Sequence, residues 1–171
     1  MAKVKKTDES GLMYGLNQLE VNGKVLGFIE DDSFDFGGTP GEGTDIMAAQ
    51  VKGAPVKTLA KSNGTIKPTF DLIQIDYEVM VAILGGALKK DGATIVGWEA
   101  PTKAVVITGQ AKVTTDSGHL ITIPNCQVQG NISGPLSMSA VSKIKCTLNV
   151  LAPTTPGVAP YTIEDLYETT T

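Results

Sequence analysis

Val141-Ser-Lys-Ile-Lys-Cys-Thr-Leu-Asn-Val-Leu151 sets Ile144, Cys146, Leu148 and Val150 against Lys143, Lys145, Thr147 and Asn149. A period of two with one apolar side is what a strand shows when one face meets a core and the other meets water. The same pattern recurs upstream. From Thr102 to Thr115, Val105, Ile107, Gly109, Ala111 and Val113 alternate with Val106, Thr108, Gln110, Lys112 and Thr114. Asp116-Ser-Gly118 turns the chain and Leu120 to Ile132 returns, with a change of face around Pro124 that predicts a bulge. Asn131-Ile-Ser-Gly-Pro135 breaks that strand before Val141 to Leu151 closes a meander. The fold expected is mainly β: an antiparallel β-sandwich or half-barrel with one flanking α-helix and a long mobile loop.

The helix is expected from Asp76 to Leu84. Asp76 suits the N-cap, Glu78 the positive end of the dipole, and Gly85-Gly86 the stop. Met80, Ile83, Leu84 and Ala87 fall on one face, although the valine content leaves a strand as the alternative. Nearer the start, Asn22-Gly23 predicts a type I′ hairpin whose second strand runs on toward Phe34 and Phe36. Gly37 to Gly53 follows, glycine-dense in front and expected there to lack regular structure. Val56–Lys61 and Thr65–Ile73 flank Ser62-Asn-Gly64 as a second hairpin, and Pro68 puts the latter strand at an edge or bulge. Residues 1–13 read as a flexible arm, 14–152 as one domain, and 153–171 as a linker with an acidic tail whose Tyr161–Glu168 docks as a helical turn.

The chemical inventory is sparse. All 14 basic residues are lysine, 18 residues are acidic, and the net charge is −4. A chain with no arginine and negative charge grips nucleic acid poorly. One histidine, His119, and two cysteines 20 residues apart do not make a zinc site. Gly37-Gly-Thr-Pro-Gly-Glu-Gly43 lacks the lysine and hydroxyl residue that end a phosphate loop. Glu30, Asp31, Asp32 and Asp35 lack calcium-loop spacing, Trp98 has no aromatic neighbour for sugar stacking, and no Gly-x-Ser-x-Gly elbow partners His119. A hairpin centred near Leu136 sets Cys126 opposite Cys146, as two buried hydrophobes or as a disulfide. No catalytic set, cofactor or metal is expected. The start lacks an apolar signal stretch, and Val79 to Leu88 is about half a membrane span, so no membrane partner is expected either.

The order of these parts resembles the tail tube proteins of long-tailed phages, whose relatives include the tubes of contractile tails and type VI secretion systems. The matching stretches are Val56-Lys-Thr-Leu, Thr69-Phe-Asp-Leu-Ile and Asp76-Tyr-Glu-Val-Met-Val-Ala-Ile-Leu-Gly-Gly86. Ile123-Pro-Asn-Cys-Gln-Val-Gln-Gly130 and Ile144-Lys-Cys-Thr-Leu-Asn-Val-Leu151 continue the match, which covers roughly residues 14 to 152. The resemblance implies a virion protein, made in the host cytoplasm, that stacks as hexameric rings around a DNA-conducting lumen. Implied partners are further copies of itself, tape-measure and tail-tip or terminator proteins, and DNA that passes without specific binding. It also implies that the loop Gly37–Ala54 orders against neighbouring subunits. Ile46, Met47, Ala48 and Ala49 would then supply the contact, with Phe34 and Phe36 as anchors at its base. The rival reading is a non-polymerising β-sandwich binding module of a cell-surface system, monomeric and carrying an aromatic or acidic pocket.

Overall fold

The computed structural model describes residues 11–166; the first ten residues of the arm expected over 1–13 and the last residues of the acidic tail lie outside the described residues. The chain is mainly β and antiparallel, a β-sandwich with one helix. Its elements are β1 (Leu16–Val21), β2 (Lys24–Val25), β3 (Glu42–Ile46), β4 (Lys57–Ser62), β5 (Thr69–Leu72), α1 (Tyr77–Leu84), β6 (Ala87–Asp91), β7 (Thr94–Glu99), β8 (Ile107–Thr115), β9 (His119–Ser133), β10 (Lys143–Val150) and β11 (Thr162–Asp165).

The main sheet runs β2-β1-β8-β9-β10-β5, with β11 also paired to β9. Strand β9 is its axis. Gly109 pairs with Cys126 but Ala111 pairs with Ile123, so one residue of β8 faces two of β9, Pro124 and Asn125. This is the bulge expected from the face change. It keeps Ile121 and Ile123 before it, and Cys126 and Val128 after it, on the same buried side. Cross-strand register then carries one apolar face through Leu19, Ala111, Ile123, Leu148 and Phe70.

Helix α1 forms as expected. The Asp76 carboxylate accepts from Glu78 N at 2.8 Å, and Gly85, at φ +75°, donates to Val81 O. Val79, Met80 and Ile83 are buried, whereas Ala87 lies in β6 and is exposed. The helix sits close on β9 because Gly130 has no side chain; a Cβ there would stand 2.8 Å from Ile83 Cγ2 and 3.0 Å from Leu84 Cδ2. The hairpin β6–β7, turning at Gly92-Ala93, is clamped to the helix end where Trp98 Nε1 donates to Gly85 O at 2.8 Å.

Four expectations are corrected. The Asn22-Gly23 turn exists, with φ of +51° and +76°, but β2 is only two residues long. Beyond it the chain crosses to the other edge of the sheet, where Ile29 bridges Leu72 and Asp35 bridges Thr69. Second, Ser62-Asn-Gly64 does not close a hairpin: β4 pairs with β3, and β5 pairs with β10 as an end strand just after the buried Pro68. Third, part of the long loop is therefore regular, since Glu42–Ile46 is a strand. Gly38 makes that ribbon's stem possible: at φ +102°, its Cβ would come within 1.9 Å of Thr65 O. Fourth, the acidic tail is a strand over Thr162–Asp165, not a helical turn.

Gly130→Val should destabilise the fold by about 1–3 kcal/mol through overpacking beneath α1. Thr147→Val, on the opposite face of the neighbouring strand, should stay within about 0.5 kcal/mol. Urea unfolding of the two variants makes the comparison.

Candidate functional site

Three surface features stand out. The first is the β3–β4 ribbon, in which every residue of both strands is exposed. It is held by its own ladder and by Thr58 Oγ1 donating to Asp45 Oδ1 at 2.6 Å, and it contributes nothing to the core. Ile46 ends β3, and Met47, Ala48 and Ala49 begin the connection to β4. Met47 is 61% exposed, Ala48 half-buried, and Val51 and Val56 add further uncovered apolar surface.

Phe34 and Phe36 lie below the ribbon's stem and are not part of its tip. Both are half-buried against the core, edge to face at 5.3 Å, and Phe34 stacks on Phe70. They also line the second feature, an open groove of ≈ 680 Å³ between β1 and the crossing segment. Phe28, 74% exposed, shares that groove with Asp31, Asp32 and Asp116. The third feature is the outer face of the main sheet. Register places Thr108, Gln127, Gln129, Asn131, Thr147 and Asn149 there. Register sets its charged residues across from opposite signs, Glu20 from Lys112 and Asp71 from Lys145, while the Asp71 carboxylate itself bonds Lys143.

The acidic quartet is dispersed into structural contacts. Glu30 and Asp71 grip Lys143 Nζ at 2.5 and 2.6 Å, tying the crossing segment to the sheet. Asp31 accepts from Asp32 N and Asp35 from Gly37 N. Among the described residues, no cluster of three histidine, cysteine or carboxylate side chains is placed to hold a metal.

His119 gains neighbours that its sequence position did not announce. Ser117 Oγ lies 2.9 Å from its Nδ1, and Asp165 Oδ1 lies 3.5 Å from Nε2. The serine oxygen is already engaged, accepting from Tyr14 N and lying 2.9 Å from Thr115 Oγ1. Thr115 in turn bonds both backbone groups of His119. This network fixes the β8–β9 turn and reaches the tip of β11. Asp165 was not legible as a partner, because only the pairing of β11 with β9 brings it there.

The cysteines are free and are not opposite one another: Cys146 pairs with Gly130, and Cys126 with Val150. The hairpin is centred two residues later than expected, which preserves the shared buried face but separates the thiols. Burial pushes Cys126 up to about 11 and Cys146 up to about 12, with the Asp71 charge adding to the latter. Lys143 is also raised, by its hydrogen bonds to Asp71 and Glu30.

No protein-family model matches the chain, and no curated protein matches it.

In the unfolded chain the thiols ionise near 9.0, whereas the buried ones keep their protons to about 11 and 12. Stability should therefore hold up to about pH 9 and fall above it, as the unfolded state loses protons that the native state retains. Lys143 adds to the same trend, since its contribution is complete below its ordinary 10.5 and lost above its raised value. Urea midpoints measured from neutral pH to about pH 11 should show this fall, and Cys126→Ala/Cys146→Ala should flatten its slope. Neither thiol should react with an aromatic disulfide reagent in the native protein, and both should react in denaturant.

Proposed function

We propose that this protein is a self-assembling structural subunit of the phage tail tube type, forming stacked rings around a channel for DNA. The β3–β4 ribbon carries the reading. A two-stranded ribbon with no buried face is at best marginally stable in water, so its sequence makes sense if a partner covers it. In this reading Ile46 and Met47 seat on the neighbouring subunit, and the apolar area buried there offsets the entropy of ordering the ribbon.

The outer sheet face supports the same reading. Its amides and hydroxyls are neutral, and Lys112 and Lys145 lie across from Glu20 and Asp71, so a phosphate backbone passing over it would release few counterions and would not be held. We assign that face to the lumen. Further copies of the chain are then the principal partners, with tape-measure and terminator or tip proteins at the ends, and the site of action is the virion tail.

One observation favours the rival binding module: the groove holding Phe28, Asp31 and Asp32 has the aromatic and acidic lining that such a module needs.

Concentrated protein should give rings or tubes in negative-stain images and a matching mass by light scattering. Ile46→Asp/Met47→Asp should leave the unfolding free energy of the monomer, from urea titration, within about 0.5 kcal/mol of wild type, because neither side chain is buried, yet abolish assembly. Normal tubes from that variant would remove the ribbon from the assembly contact. Assembly abolished instead by Phe28→Ala would move the contact to the groove.

A further inference from the structure

Strands β10 and β11 run in the same direction along the same edge of β9, β10 over residues 126–133 and β11 over 119–122. The edge between them is three residues long, roughly 10 Å of strand. The chain crosses that gap with eleven residues, 151–161, among them Pro153, Pro156 and Pro160. Fully extended, those residues span about 36 Å. The excursion is anchored only at its start, where Leu151 N donates to Asn125 O and Asn125 Nδ2 to Ala152 O, both at the β9 bulge.

The strand at the far end is weakly invested in its own fold. Unlike β1, β5, β8, β9 and β10, β11 places no side chain in the core. Ile163 stands opposite the fully buried Ile121 yet remains 49% exposed. Its side-chain tie is the 3.5 Å contact from His119 to Asp165, a carboxylate 75% exposed; Leu166 N to Gly118 O completes the ladder. Tyr161 and Leu166 flank the strand with further exposed apolar surface.

From these features we infer that β11 is an exchangeable strand. The slot on β9 from His119 to Thr122 takes β11 from a second copy of this chain, using the same backbone ladder and register that the intramolecular strand uses. Exchange breaks no core contact and conserves the hydrogen bonds. The long connection supplies the reach, which makes this a low-cost route to linking copies. Each copy offers one strand and one slot, so the link propagates from copy to copy when it does not close as a pair. The inference rests on the self-association proposed above for its choice of occupant.

Thr122 and Thr162 pair directly on the polar face, and neither is in the core. Chains carrying only Thr122→Cys and chains carrying only Thr162→Cys are mixed, concentrated, oxidised and quenched before denaturation. The double variant on one chain serves as the control that the pair can close. Exchange predicts an interchain disulfide joining the two kinds of chain as the main product of the mixture. If rings or tubes form and the double variant closes internally while the mixture stays unlinked, exchange is wrong and self-assembly stands. Interchain linkage in dimers that never become rings or tubes supports exchange and counts against the tube. No association and no linkage at any concentration overturns both.

Discussion

Strand β9 and its one-residue bulge are the constraint on which the molecule depends. The strand is long enough to pair with β8 on one edge and with both β10 and β11 on the other. Without the bulge at Pro124–Asn125, period-two alternation would turn either Ile121 and Ile123 or Cys126 and Val128 toward water. With it, five strands share one apolar face, and α1 can rest on that face at Gly130. The bulge also holds the outgoing chain after β10, so the geometry that preserves the core sets where the C-terminal excursion departs.

This arrangement divides the protein into a well-built body and weakly built margins. The body holds the buried thiols, the Lys143 ion cluster and the capped helix. The margins are the β3–β4 ribbon and β11, which rely on backbone ladders with little or no burial. Elements of low local stability are where partner-dependent ordering is cheapest, and the functional reading is placed there for that reason.

Legibility in the sequence followed burial. The meander, the bulge and the helix could be read because each has a core-facing side: Ile144 to Val150, the switch at Pro124, and the Asp76 cap with its Gly85 stop. Alternation fixes parity and not register, so Cys126 and Cys146 were placed on the correct face but opposite the wrong partners. Strand β3, Glu42–Ile46, and β11 with its Thr-Ile-Glu-Asp bury no side chain and carry no hydrophobic period to detect, whereas β4 is expected as a strand within Val56–Lys61 but with the wrong partner. The small hairpin β6–β7 is not among the expectations, its one cue being Asp91-Gly92. Phe34 and Phe36 are anchors only by the family resemblance, and the bridges of their segment to β5, which pack them half-buried on the core, have no sequence signal.

The strand order has a consequence for how the chain is made. Strands β1 and β5, from the first half of the sequence, have there only the two-residue β2 and the single bridges of Ile29 and Asp35; their long ladders are with β8 and β10. A ribosome emitting this chain releases the first 72 residues before β8 and β10 exist, and the β8–β9–β10 meander must form before the main sheet can be completed. The pairing is long-range, so folding should be slow for a domain of this size and should begin in the C-terminal half. Until then the ribbon has no finished body to present it.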